Sequence, residues 1–238
     1  MIGPMRCDVW WAHPAAATPA LVGLLDEIEQ GRYTGYRREI DQLRFLTGRA
    51  LIRGVAASAL GVPASSVALD ASCFDCGKPH GKPRVVGSTL EVSVSHSGEW
   101  VVLAVASDTP VGVDVEELRA AEVDDLAGVA FSTAEQASFS AVPAADRRGA
   151  FFTYWSRKEA VLKATGKGMS VPMSKLTLSA HDAAPAVLSS EAPEVDAATA
   201  RMADLNVGPD YRACVAAFAP TPLTITEHDA TELLKALG

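Results

Sequence analysis

Two short stretches hold residues whose types and spacing could do chemistry. Trp155-Ser156-Arg157-Lys158-Glu159-Ala160-Val161-Leu162-Lys163 places two lysines and a carboxylate on one apolar helical segment. Gly112-Val113-Asp114-Val115-Glu116 sets two carboxylates at alternating positions of a strand-like run. Residues i and i+2 of a strand point to the same side, so Asp114 and Glu116 face out together while Val111, Val113 and Val115 turn inward. Taken alone, that pair reads more readily as an exposed edge with acids on its wet side, although like charges this close also invite a cation between them. Glu159 shifts the balance. It lies one helical turn from Lys163, and an exposed pair of that kind contributes only about 0.3–0.5 kcal/mol. Phe151, Phe152, Tyr154 and Leu162 surround it in sequence, so much of the helix should be buried, and charges there suggest a purpose beyond solvation. Asp114, Glu116 and Glu159 with neighbouring lysines would suit Mg²⁺ against a phosphate chain, because this ion takes hard oxygen ligands and shares its shell with phosphate oxygens.

Weaker signals surround these. Ser95-His96-Ser97-Gly98 at a strand end offers hydroxyls and an imidazole to a phosphate, or is plain hairpin chemistry. Gly81-Lys82-Pro83-Arg84 offers two cations in a loop. Cys73-Phe74-Asp75-Cys76 with His80 has the spacing of half a zinc knuckle, but a structural zinc needs four ligands. Cys7 or Cys214 would have to complete it; otherwise these are loop or buried thiols. Thr165-Gly166-Lys167-Gly168 lacks the full phosphate-loop pattern and reads as a helix stop.

The elements that must position these residues follow from periodicity. Leu43, Leu46, Ala50, Leu51, Val55 and Leu60 recur near the helical period, which predicts a helix over Glu39 to Leu60 ended by Gly61-Val62-Pro63. Glu91 to Ala106 reads as two strands joined through His96-Ser97-Gly98-Glu99, with Val92 and Val94 on one face and Ser93 and Ser95 on the other. A strand follows from Val111 to Val115. Ser132-Thr133-Ala134-Glu135 forms a capping box, and Phe151 to Thr165 is the second long helix. Lys175 to Ser179 and Tyr211 to Ala219 are strand-like, whereas His181 to Ala200, rich in Ala, Pro, Ser and acids, reads as a loop or insertion. Leu60 to Leu69 echoes Met169 to Leu178, and Trp100 to Ala106 echoes Tyr211 to Ala217. The echo predicts two similar α+β halves, residues 1–109 and 110–238, with a ligand cleft between them.

Bulk properties bound the function. The chain has 238 residues, 48% hydrophobic and 21% charged, ordinary for a globular protein. Its apolar runs are too short for a membrane span, its start lacks a signal-peptide layout, and its cysteine usage fits a reducing compartment. A cytoplasmic protein is expected. The net charge of −8 argues against non-specific nucleic-acid binding. Arginines cluster early, at Arg32, Arg37, Arg38, Arg44, Arg49 and Arg53, so a local basic face remains for a polyanionic small molecule or an acidic protein.

In combination these motifs resemble the Sfp-type 4′-phosphopantetheinyl transferases. The resemblance rests on Gly112 to Glu116 and Trp155 to Lys163. Gly81-Lys82-Pro83, Val94 to Gly98, Phe131-Ser132 with Glu135, and Gly166-Lys167-Gly168 support it, in the family's order. It implies a fold of two α+β halves related by a pseudo-twofold axis. It also implies transfer of the 4′-phosphopantetheine arm of coenzyme A to a serine of an apo acyl or peptidyl carrier protein, with Mg²⁺ required and 3′,5′-ADP released. Such enzymes serve fatty-acid, polyketide or nonribosomal-peptide biosynthesis. By the same resemblance Asp114, Glu116 and Glu159 would ligate the metal, and Lys158 and Lys163 would make phosphate and catalytic contacts. Ser95 and His96 would meet the ribose 3′-phosphate with Lys82 nearby, while Arg44 and Arg49 would reach the nucleotide end. Glu159, directly or through a metal-bound water, is the first choice of base; Glu135 is the second. The region from Glu117 to Phe139 and the helix near Arg37 are candidate carrier-docking surfaces. A monomer is expected, without nucleic-acid or membrane partners. Another Mg²⁺-dependent nucleotide-using phosphotransferase would use the same acids and lysines, although no Walker or kinase signature is present. A module that binds carriers or nucleotides without catalysis would not need three acids.

Overall fold

A computed structural model describes residues 4–238, with Ala15 and Met169 described by their backbone alone. Met1-Ile2-Gly3, on which the expectation about the chain's start partly falls, lies outside the described residues. In chain order the strands and α-helices are β1 (Met5–Ala12), α1 (Glu27–Gly35), α2 (Glu39–Leu60), β2 (Leu69–Asp70), β3 (Arg84–Val85), β4 (Leu90–Ser97), β5 (Trp100–Ser107), β6 (Val111–Glu117), α3 (Val123–Ala130), α4 (Thr133–Ser140), α5 (Arg147–Ala164), β7 (Leu176–Leu178), β8 (Val187–Ser190), β9 (Ala200–Leu205), β10 (Tyr211–Phe218), β11 (Leu223–Asp229) and α6 (Thr231–Leu237). The fold is α+β. No helix among the described residues is long and apolar enough to cross a membrane.

The chain divides into two compact units. The first comprises Cys7–Asp108 with Ile225–Gly238. Its sheet runs in the order β11-β1-β5-β4. The long helix α2 packs on the Val92, Val101, Leu103 and Val105 face through Phe45, Leu46, Ala50, Leu51, Ile52 and Val55. Helix α2 ends where the sequence places its stop, because Gly61 adopts the left-handed conformation (φ 68°) that costs other residues most. The tail differs from expectation. Sequence order assigns residues 225–238 to the second half, yet β11 adds a strand beside β1. Helix α6 sets Leu233 and Leu237 against α2 at Gly54, where a Cβ would lie 2.8 Å from Leu237. Contacts between segments so far apart in sequence leave no local signature.

The second unit comprises Thr109–Thr224 with residues 4–6. Its sheet runs β6-β10-β9, antiparallel throughout. Helix α5 lies across it, and Phe131, Phe139, Phe151, Tyr154, Val161 and Leu162 fill the core on the helix's other side. The helix starts at Arg147, one turn before the expected Phe151, with Asp146 at its N-cap position but without a side-chain capping bond. The stretch His181 to Ala200, expected to be a loop, contains strand β8, which pairs with β7. Locally the two echoed segments match. Each Val-Pro is followed by a 3-10 turn, Ala64–Ser66 or Met173–Lys175, and then by a strand. Strands β5 and β10, the second echoed pair, are each flanked by two neighbours in their own sheet.

One contact sets the distance between α5 and its sheet. A Cβ on Gly112 would lie 2.0 Å from the Ala160 carbonyl oxygen and 2.4 Å from the Ala164 amide nitrogen. Gly112 therefore admits the helix backbone to the surface of β6, and alanines at 160 and 164 keep the helix side of the contact equally thin. We predict that Gly112→Ala, which the strand conformation itself would tolerate, destabilises the fold by about 3 kcal/mol or more, since the overpacked atoms belong to backbone that cannot rotate away. Chemical denaturation of the purified variant measures this; an unchanged midpoint would show that α5 does not seat on β6 in this way.

Candidate active site

Gly112, Asp114 and Glu116 share one face of β6 by strand alternation, and the contacts of Gly112 identify it as the face under α5. The expected wet side is therefore a covered one: Asp114 is buried, only 3% exposed, and Glu116 is half-buried. Lys163 descends from α5, and its ammonium meets the Asp114 carboxylate at 2.6 Å. One turn earlier on the same helix stands Glu159. Burial raises the proton affinity of Glu159, the nearby Lys163 lowers it, and the nearby Asp114 raises it again. Asp114, Glu159 and Lys163 thus form one electrostatic cluster, assembled from residues far apart in sequence. Arg157 fixes the register of the helix over the sheet. Its guanidinium binds Asp204 of β9 through two donors at 3.0 and 2.6 Å and donates to the carbonyls of Ala180 and Ala183.

Lys158 does not join this cluster. Successive helical residues diverge by about 100° around the axis, and Lys158 points into the core on the far side, fully buried. Its ammonium pairs with Glu135 at 2.7 Å and donates to the Met173 and Leu176 carbonyls at 2.9 and 2.6 Å. Three donors meet three acceptors, so the expected phosphate or catalytic contact is corrected to a structural one. Glu135, the second candidate base, is engaged on all sides. It closes the expected capping box with Ser132 and accepts from the Leu178 amide at 2.8 Å.

The proposed nucleotide contacts are likewise sorted by the fold. Arg49 is buried and ion-paired with Glu29 at 3.1 Å; Arg53 binds the other oxygen of Glu29 at 2.7 Å. The assignment of Arg49 to the nucleotide end is therefore corrected: it joins α2 to α1. Arg44 instead reaches the β4–β5 turn, donating to the Gly98 carbonyl through two nitrogens and contacting Asp41 at 3.3 Å. Arg44 and His96 both hold the proton affinity of Asp41 down, after the larger effect of its bond to Arg38. Arg44 and exposed His96 are thus neighbours. Ser95, adjacent to His96 in sequence, faces the opposite side of β4 and is buried. Lys82 pairs with Glu91 of β4 at 3.1 Å, and burial lowers its proton affinity.

The sequence pattern of the 4′-phosphopantetheinyl transferase superfamily matches residues 110–216, and that of a 4′-phosphopantetheinyl transferase amino-terminal region matches residues 10–108. The chain belongs to this family. Among its relatives, the Bacillus pumilus 4′-phosphopantetheinyl transferase psf-1 is 36% identical over 143 residues, 60% of this chain and 58% of the relative. A phosphopantetheinyl transferase of Thraustochytrium sp. is 34% identical over 178 residues, 69% of this chain and 60% of the relative. The 4′-phosphopantetheinyl transferase Sfp of Bacillus subtilis is 28% identical over 201 residues, 84% of each chain. The match to the first two thus spans about three fifths of their length.

The donor set fits a hard divalent cation. Asp114 and Glu159 repel one another in a partly dehydrated setting, and a cation accepting both would remove that repulsion. Two predictions follow from these geometries. Replacing Lys158 by Ala leaves Glu135 buried without its counter-ion and should cost about 3–5 kcal/mol of stability, with Lys158→Met plus Glu135→Gln recovering much of it. An unchanged denaturation midpoint in the single variant would return Lys158 to the site. For Glu159 the sign is opposite. A carboxylate whose proton affinity is raised by folding favours the folded state below the ordinary carboxylate range and opposes it once ionised. Glu159→Gln should therefore raise the melting temperature at neutral pH without divalent ions, with the gain vanishing at acid pH. Added Mg²⁺ should stabilise the wild type more than the variant. Equal melting curves for the two proteins would refute both the clash and the metal assignment.

Proposed function

We propose that this chain transfers the 4′-phosphopantetheine arm of coenzyme A to a serine hydroxyl of an apo acyl or peptidyl carrier protein, releasing 3′,5′-ADP. The observation that carries the reading is the convergence of Asp114, Glu159 and Lys163 under α5, in a chain of this family. Asp114 and Glu159, with Glu116 beside them on β6, would hold Mg²⁺. When bound, that ion supplies charge neutralisation to a pyrophosphate. Lys163 keeps a positive charge beside Asp114, where it can also attract the phosphate oxygens on which negative charge accumulates during displacement. Glu159 is the base.

In the proposed step the serine oxygen bonds to the phosphorus next to the pantetheine arm. The bond from that phosphorus to the bridging pyrophosphate oxygen breaks, 3′,5′-ADP departs with the electron pair, and the serine proton passes to Glu159. His96 would meet the ribose 3′-phosphate, and its neighbour Arg44 would reach the nucleotide end. The buried positions of Lys158 and Arg49 remove them from this reading.

Incubation of the purified chain with coenzyme A, Mg²⁺ and a panel of apo carriers tests the proposal. Mass spectrometry should show a carrier gaining one phosphopantetheine arm. Asp114→Ala and Glu159→Ala should each lower turnover by about 10²-fold or more while leaving a folded protein, and Lys163→Ala should slow transfer even at saturating coenzyme A. A panel in which no carrier gains the arm, or full activity in Asp114→Ala, would overturn it.

A further inference from the structure

Among the described residues, the set of three potential metal ligands whose donor atoms all lie within 4.8 Å of one another is Cys73, Cys76 and His80. It sits at the tip of the connection between the paired strands β2 and β3, away in sequence from the acids discussed above. The Cys76 sulfur lies 3.1 Å from Nε2 of His80. Cys7 and Cys214, either of which would have been needed for a four-residue site, are instead buried in strands β1 and β10.

The backbone builds this arrangement. The Cys73 amide donates to the Lys78 carbonyl at 2.8 Å, and the Gly77 amide donates back to the Cys73 carbonyl at 2.9 Å. Gly77 takes a left-handed conformation (φ 70°), which lets the chain reverse directly after Cys76. The His80 amide donates to Lys78 and the Gly81 amide to Ala71, at 2.8 and 2.7 Å. A Cβ on Gly81 would lie 2.6 Å from the Ser72 carbonyl oxygen, so glycine is required for the two arms of the turn to meet. Arg32 of α1 pins the far side by donating to the Pro79 carbonyl at 2.6 Å. The amides of Cys76 and Asp75 are directed at the Cys73 sulfur.

We propose that Cys73, Cys76 and His80 bind a single thiophilic divalent cation of the zinc class, with solvent completing a tetrahedron. Two sulfurs and an imidazole are a soft-to-borderline donor set that selects zinc over the hard Mg²⁺. A tetrahedral ion with Zn–S near ~2.3 Å and Zn–N near ~2.0 Å needs donors roughly 3.5–3.8 Å apart, a spacing these side chains reach by small rotations. Cys76 and His80 are exposed and Cys73 is half-buried, so water has access to the fourth position. The ion would clamp the turn from which Lys82 emerges toward Glu91.

Zinc content after desalting in reducing buffer, measured by inductively coupled plasma mass spectrometry on the full chain, tests the site. The wild type should retain one equivalent per chain, and Cys73→Ser/Cys76→Ser should retain none while its circular dichroism is unchanged. Cobalt in place of zinc should give a thiolate-to-metal charge-transfer band in the wild type that disappears in the double variant and weakens in His80→Ala. Failure of the wild type to hold zinc or show the band would overturn the proposal. So would equal zinc in wild type and double variant, or a Cys73–Cys76 disulfide that persists in reducing buffer.

Discussion

The distance at which α5 rests on its sheet governs the chemistry of the second unit. A helix packed through larger side chains would be held farther from β6, with side chains rather than backbone at the contact. Here Gly112 and the alanines at 160 and 164 reduce the gap to backbone contact. Two residues along the strand, Asp114 has nowhere to go but beneath the helix, where Lys163 answers its charge. Glu159 lies close enough to feel both. Removing water strengthens each of these interactions and also makes any imbalance among them costly. The cluster is thus poised: two carboxylates in a partly dehydrated space, one cation present, and room in the charge balance for another.

The cations of this protein fall into two kinds, distinguished by what their donors already do. Lys158 spends its ammonium on Glu135 and two carbonyls. Arg49 and Arg53 share Glu29. Both counter-ions have the same local origin. Glu29 is the third residue of α1 in a capping box with Asp26, and Glu135 is the third residue of α4 in a capping box with Ser132. In each unit, then, the glutamate that caps a short helix also neutralises a buried cation from the long helix of that unit. The capping bonds hold the carboxylate in place, which lowers the entropic cost of ordering the ion pair. Lys163 belongs to the other kind. Its partner is an acid of the sheet, and its side chain keeps 25% of its surface exposed.

Much of this chain was legible from its amino acids. The limits of α2 follow from an apolar stripe of helical period closed by Gly61. The β4–β5 hairpin follows from alternation, and α4 announces itself through Ser132 and Glu135. The Val-Pro echoes mark local structures that recur. Asp114, Glu116, Lys158, Glu159 and Lys163 stood out together because periodicity assigns each to a strand or a helix, and because hard oxygen donors with lysines suggest a narrow range of ligands.

Other features had no local trace. Periodicity says that Lys158 and Lys163 lie on one helix, but only packing reveals that one faces buried acceptors and the other a carboxylate of the sheet. Alternation places Ser95 and His96 on opposite faces of β4, yet which face lies near Arg44 depends on where α2 sits. Arg49 reads as one arginine among several until Glu29, twenty positions earlier, is brought against it. The return of β11 and α6 to the first unit, and the closing of Cys73, Cys76 and His80 into one cluster, likewise depend on contacts that the chain makes only after it has folded. Residue types and spacing determined which chemistry was available. Tertiary packing decided which charges were consumed in holding the structure and which were left to act, because the burial and pairing of an ion are properties of its surroundings and not of its place in the chain.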